Sequence, residues 1–387
     1  MATMDSDGLQ GKGVLEGRVG WIDVLRIVVI FAVVWSHVCD DFIGQLDTDR
    51  SQFLTGVLLE SIVRPAVPLF VLMTGWLLVP MRPTETMGGF YKKRISRLIP
   101  PLIFWSIVLP IVSYAYYVYV SPATQNPYVD IDAYTEESLV HKLWAWVLNF
   151  NVDTVPLWYL YMLIGLYLII PVINSFLIAA KKRDIELLLI LWAISTCLPY
   201  VYLLAAQVGN GYDARVWGLC DWNIVHPFYY VTGFVGYIVL AYYMKTYPPR
   251  LTWGKTLRIA IPLYVVGYAG TAGLYILMGE AWNYSYEYLE IPWTMYGVNI
   301  GMQTVAVLLV FMKLRVEPTR RLKHVAERMF GIFLCHFPVV QITYDWFDTA
   351  VLSPVVRIVA MSVTTFIICY CVTSILFGFK LTRRLVK

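Results

Sequence analysis

Ten stretches of about 20 mostly apolar residues run through the chain, each long enough to cross a bilayer as a helix. They fall near 21–39, 55–79, 97–119, 157–179, 185–206, 223–244, 257–278, 292–313, 328–346 and 354–379. In hydrocarbon every backbone N–H and C=O must be satisfied within the protein, so runs of this length predict helices. The expected fold is therefore all-α, a polytopic bundle of about ten transmembrane helices. Breakers separate the runs: "RPTE" after the second, "PATQNP" after the third, "TYPPR" after the sixth and "VEPTR" after the eighth. Only 14% of the residues are charged, against about 25% in a soluble domain. That excludes a globular enzyme with a single anchor and makes membrane lipid an expected partner. No basic segment resembles a nucleic-acid module and no Gly-rich phosphate loop follows a strand pattern, so no nucleic acid is expected.

The basic residues orient the bundle. Of 30 Lys and Arg, 24 fall in the termini and the loops on the same side as them. The opposite loops hold Arg50, Lys142 and Arg215, and are otherwise acidic, with Asp40, Asp41, Asp47, Asp49, Asp130, Asp132, Glu136 and Glu137. By the positive-inside rule both termini are cytoplasmic, which predicts a multi-pass protein of the inner (plasma) membrane. The expected division is a cytoplasmic tail over 1–20, a membrane domain over 21–379 and a cytoplasmic tail over 380–387. The polar start "MATMDSDGLQGKGVLEGR" lacks an apolar signal-peptide core, so the first span is expected to act as the targeting signal. The longest connection, 119–156, contains "HKLWAWVLNF", which reads as a short interfacial amphipathic helix. Six cysteines lack metal-ligand spacing and no metal is expected. Cys39 and Cys220 fall near one predicted membrane face, which leaves a disulfide between them open.

The first span carries the chemistry. "IDVLRIVVIFAVVWSHVCDD" (22–41) sets Asp23, Arg26 and His37 in an apolar run, where an ionisable group costs about 2.5 kcal/mol or more and reads as functional by default. Arg26 and His37 are 11 residues apart, so they share a face to within about 20° and are separated by about 16.5 Å along the axis. Asp23, three residues before Arg26, joins the same stripe. Taken singly, Asp23–Arg26 also fits an interfacial ion pair and His37 a satisfied interfacial histidine. Together they predict a polar face with charge near the inner surface and an imidazole near the outer one.

These residues also carry a resemblance. Arg26, ten residues and His37 match the R-x10-H signature of the acyltransferase-3 family of polytopic membrane acyltransferases. "RPAVPLFVLMTGWLL" (64–78) is similar to the family's second-helix pattern, with Thr74 where Ser is usual. "YKKRISRLIPPL" (91–102) contains its R-x-x-R element at Arg94 and Arg97. "PLWYLYMLIGLYLIIPVI" (156–173) resembles its Leu-Trp-Tyr segment, and "FGIFLCHFPVV" (330–340) its Tyr-Gly-Ile-Tyr-Leu-x-His-Pro segment, with Phe333 in place of Tyr. The resemblance covers nearly the whole chain.

It implies transfer of an acyl group, commonly acetyl, from cytoplasmic acyl-CoA to a hydroxyl of an extracytoplasmic glycan or lipid-linked sugar. His37 corresponds to the catalytic histidine. Asp23, Arg26, Arg94 and Arg97 bear on the donor side, where guanidinium groups suit the phosphates of coenzyme A. An imidazole suits a general base, or alternatively a transient acyl carrier. Asp40 and Asp41, on the His37 side of the helix, are either a solvated helix end or a tuning carboxylate. Glu60 and Arg64, four apart, form either a structural pair or a tuning carboxylate with an oxyanion stabiliser. Trp158 and Tyr159 fit sugar stacking or an ordinary aromatic belt, with the belt favoured. Asn299, with Gln303, reads as helix glue or acceptor contact, and His336 as a mid-membrane packing bond or a further reactive group. A transporter or polysaccharide exporter remains the alternative class, since a through-membrane polar face also describes a path. A homo-oligomer is left open, and no soluble domain is expected after the tenth span.

Overall fold

The computed structural model describes residues 18–145, 151–201, 228, 230–281, 289–348 and 351–387. Among the described residues the chain is helical, without a strand. The helices are α1 (Gly20–Ile43), α2 (Arg50–Val63), α3 (Ala66–Leu78), α4 (Met87–Tyr119), α5 (Glu136–Trp144), α6 (Trp158–Ala179) and α7 (Lys182–Ser195). They continue with α8 (Val235–Thr246), α9 (Trp253–Ile276), α10 (Val298–Phe311), α11 (Arg320–Ala326), α12 (Met329–Phe347) and α13 (Pro354–Gly378). Among the described residues eight helices are long and apolar enough to cross a membrane, with α2 and α3 together forming one; α11 and α12, bent by 42°, add a ninth if the pair is one span. The sixth expected span, 223–244, is described mainly as α8. Cys220, Arg215 and residues 146–150 of the expected amphipathic segment lie outside the described residues. Within that segment's neighbourhood, α5 starts at Glu136, five residues earlier than expected, because the Thr135 hydroxyl caps it by accepting from Ser138 N.

Two other boundaries depart from the hydropathy reading. Helix α4 begins ten residues before the apolar run, because the Thr86 hydroxyl accepts from Gly89 N and starts a basic helical extension. The second span is broken at Arg64–Pro65. Proline has no N–H, so the Ser61 carbonyl four residues earlier loses its helical donor. Gln303 from α10 donates its side-chain N–H to that oxygen at 3.1 Å. Side chains also reach carbonyls beside it: Tyr264 donates to Ile62 O at 2.6 Å and Tyr268 to Leu58 O at 3.2 Å. From α1, the Trp35 indole donates to Leu59 O at 3.1 Å. A break at membrane depth is thus sealed by side chains from three helices.

Helix α1 sits in the middle of the bundle, packed against α2, α3, α11, α12 and α13. Leu25, Val29, Ile30, Val33, Val34 and Val38 are fully buried in its seams. Without a hydrophobic force between helices in lipid, close approach depends on small residues. At Gly75 of α3, an added Cβ would come within 2.9 Å of Ile238 Cα on α8. At Gly267 of α9 it would lie 2.5 Å from the Asn299 carbonyl oxygen on α10.

Candidate active site

His37 lies six residues before the end of α1, and His336 seven residues into α12. Their rings face each other with centroids 5.2 Å apart and planes inclined by 35°. The two imidazoles therefore share one depth, which corrects the expectation of a His336 set apart from His37. Nor is His336 a cross-helix packing bond: its Nδ1 donates to Phe333 O of its own helix at 2.7 Å, and its buried Nε2 has no partner. His37 Nδ1 bonds the Asp40 carboxylate at 2.9 Å, the contact that a three-residue spacing allows. With Nδ1 donating, the lone pair of the neutral ring sits on Nε2. Phe337 packs edge-on against the His37 ring at 5.5 Å.

A second pair closes the centre from α2. Glu60 is fully buried; its Oε1 accepts from Arg64 Nη1 at 2.6 Å and from Ser36 of α1 at 2.9 Å. Arg64 also donates to Trp293 O at 3.0 Å, and its guanidinium lies over the Trp293 ring at 4.4 Å. Glu290 is 4.0 Å away, and Asp40 and His37 are within electrostatic reach. The break at Pro65 is what presents Arg64 here, at the end of α2. So His37, Asp40, Glu60, Arg64 and His336 are brought into one cluster. Ser36, Glu290 and Trp293 join it without having been singled out in the sequence: Ser36 by its side of α1, the other two by a fold-back no local pattern announces.

At the other end of α1, Asp23 is buried. It accepts from Arg18 Nε at 2.5 Å and from Arg26 Nη1 at 3.3 Å. Arg18 reaches on to Glu327 at 3.9 Å, which Lys323 also approaches at 3.8 Å. Both Asp23 oxygens are engaged by arginine, so this carboxylate holds Arg26 in place. Arg94 and Arg97 are not drawn into this group. Arg94 is half-buried over the Phe90 ring at 5.7 Å, Arg97 is exposed, and among the described residues neither takes part in an ion pair.

Two expectations change, and one of the two alternatives for Asn299 is selected. Tyr159 is buried between Phe70 and Phe333 at 5.8 and 5.5 Å, and Trp158 packs on Phe234 at 6.2 Å. Tyr159 belongs to the core, not to an open stacking platform, because α6 turns it inward against α3 and α12, while Trp158 is half-buried against the core's edge. Asn299 is saturated by Tyr200, Thr271 and Pro292 O at 2.5, 2.8 and 2.6 Å, which is helix glue. Neither Asp40 nor Asp41 is a solvated helix end: Asp40 is engaged by His37, and Asp41 is buried. In the connection after α4, Tyr134 donates to Asp153 at 2.7 Å beside Lys142, itself 2.6 Å from Asp153. Burial and the Asp153 carboxylate push the Tyr134 hydroxyl well above the usual phenol range.

A multi-pass helical bundle enclosing two facing imidazoles, a carboxylate on one of them and a carboxylate–guanidinium pair defines a membrane protein with an acid–base centre in its interior. The chain belongs to the acyltransferase-3 family, whose acyltransferase domain matches residues 19–374. It is a membrane acyltransferase. No curated protein and no solved structure matches it.

Proposed function

We propose that the protein moves an acyl group, acetyl first among candidates, from cytoplasmic acyl-CoA to a hydroxyl of an extracytoplasmic glycan or lipid-linked sugar. The observation that carries this reading is the half-buried His37 held at Nδ1 by Asp40 and faced by His336. His37 Nε2 accepts the proton of the acceptor hydroxyl as its oxygen attacks the thioester carbonyl. Asp40 fixes the tautomer and stabilises the imidazolium that forms. The carbon–sulfur bond breaks, the ester forms, and the proton passes to the departing thiolate of coenzyme A. Arg64 supplies positive charge near the developing oxyanion, and Glu60 and Trp293 hold it there. An acyl-imidazole on the same nitrogen is the variant of this route that a rapid acid quench tests.

The donor side draws on Arg26, held by Asp23, and on the unpaired Arg94 and Arg97, suited to the phosphates of coenzyme A. The setting proposed is the inner (plasma) membrane with both termini cytoplasmic. The test is transfer from radiolabelled acetyl-CoA in inverted vesicles, with native protein and His37→Ala at equal level. Ester label that appears on envelope glycan or lipid with native protein only is the expected result. Label that survives the variant moves the chemistry to His336. No label from acetyl-, propionyl- or succinyl-CoA overturns acyl transfer from coenzyme A and favours transport.

A further inference from the structure

One turn beyond His37 on α1, at about 6 Å along the axis, stands Asp41. Its side chain is fully buried, neither carboxylate oxygen has a hydrogen-bond partner, and among the described residues no cation pairs with it. Across from it, near the end of α4, is Tyr117, 2% exposed, whose hydroxyl also has no partner and for which Asp41 is the foremost neighbouring charge. The polar groups around them are mostly committed elsewhere, with the buried Nε of Arg357 left over. Asn126 lies beside Asp41 and donates one amide hydrogen to Gln341 at 2.5 Å, which leaves its second on the Asp41 side. Asp345 accepts from Tyr116 at 2.7 Å and from Thr124 at 2.6 Å. Arg357 donates to Asp348 at 2.7 Å and lies over the Phe42 and Tyr344 rings.

A buried carboxylate without a donor is costly. Here it persists beside neighbours whose hydrogen bonds run mainly to other groups. The chemistry of the two free groups selects the ligand. A carboxylate only accepts, whereas a phenol both donates and accepts. An anion is repelled by Asp41. A hard cation wants six or more oxygens, and the nearby Asp345 is spent on hydroxyls. A hydroxyl satisfies both at once, donating to Asp41 in a charge-assisted bond and accepting from Tyr117. The connection following α4 covers the place: Thr124 and Asn126 tie it to α12, and Tyr128 lies against Phe337, the ring that also packs on His37.

We infer that Asp41 and Tyr117 form an anchoring subsite for the polyhydroxylated acceptor, gripping a hydroxyl adjacent to the one presented to His37. This rests on the function proposed above. The subsite binds a neutral polyol and sets which hydroxyl of the sugar reaches the imidazole.

The test uses the full-length protein in vesicles, acetyl-CoA as donor and a titrated extract of envelope glycan and glycolipid as acceptor, with Asp41→Asn and Tyr117→Phe beside the native protein. In each variant the extract concentration giving half-maximal transfer is expected to rise at least about tenfold. The half-saturating acetyl-CoA concentration is expected to stay within about twofold, since the donor contacts the other end of α1. Native transfer with an unchanged acceptor dependence in both variants overturns the subsite and leaves the acyltransferase reading intact. Donor and acceptor dependence shifting together, or loss of folded protein in both variants, assigns the pair to structure and overturns it too. No transfer by native protein sinks the function first and the subsite with it.

Discussion

Asp40 and Asp41 are adjacent, and 100° of helical phase separates their partners. Asp40, three residues past His37, meets its Nδ1 and fixes which nitrogen is the base. Replacing it with Asn keeps the size and removes the charge that an imidazolium needs. Asp40→Asn is therefore expected to lower kcat by about 10²- to 10⁴-fold, with little change in the acetyl-CoA half-saturation. Single-turnover transfer at saturating donor checks this. At the opposite end of the stripe the sign is reversed: Arg26→Gln is expected to raise the acetyl-CoA half-saturation about five- to fifty-fold with kcat largely retained, and added salt is expected to weaken donor binding in the native protein. Donor titrations at two ionic strengths settle it. Asp40 was legible because i, i+3 spacing is local. Arg18 on Asp23, and the direction of Asp41, were not, because they depend on which neighbouring helix each side chain meets.

The broken second span makes its own prediction at the scale of the element. Pro65 removes one donor and Gln303 replaces it, so the two residues are coupled through the Ser61 carbonyl. Gln303→Leu is expected to destabilise the protein by about 1–3 kcal/mol, the cost of a buried acceptor left unmet. Adding Pro65→Ala restores a helical N–H, so the cost of Gln303→Leu is expected to shrink by about 1 kcal/mol or more in a double-mutant cycle. Thermal unfolding of the four detergent-solubilised variants reads the coupling. Hydropathy found this span near its full length, 55–79 against Arg50–Leu78, yet could not divide it. "RPAVP" announces a breaker, but which oxygens a proline frees matters only once the donors of α9 and α10 are in place. The basic start of α4 was hidden for a simpler reason: a capped helix continues past its apolar part, and an apolar window sees only the span.

Across the whole molecule, the 3.6-residue period and the asymmetry of Lys and Arg made the spans and their expected orientation readable, whereas the meeting of His37 with His336 crosses about 300 residues of chain and belongs to packing alone. Orientation has a direct check: in a background without native cysteines, Glu137→Cys is expected to react with an impermeant maleimide on intact cells, and Lys255→Cys only after the membrane is opened. The reverse pattern would invert the donor and acceptor sides. The sealed break at Pro65 also bears on how the protein is made. Its second span is synthesised early, but three of the side chains that meet its carbonyls, Tyr264, Tyr268 and Gln303, follow roughly 200 residues later. Until Gln303 arrives, a nascent chain holds the Ser61 carbonyl without the donor that Pro65 took away. Completion of the packing in the first third of this protein thus waits on the arrival of its last.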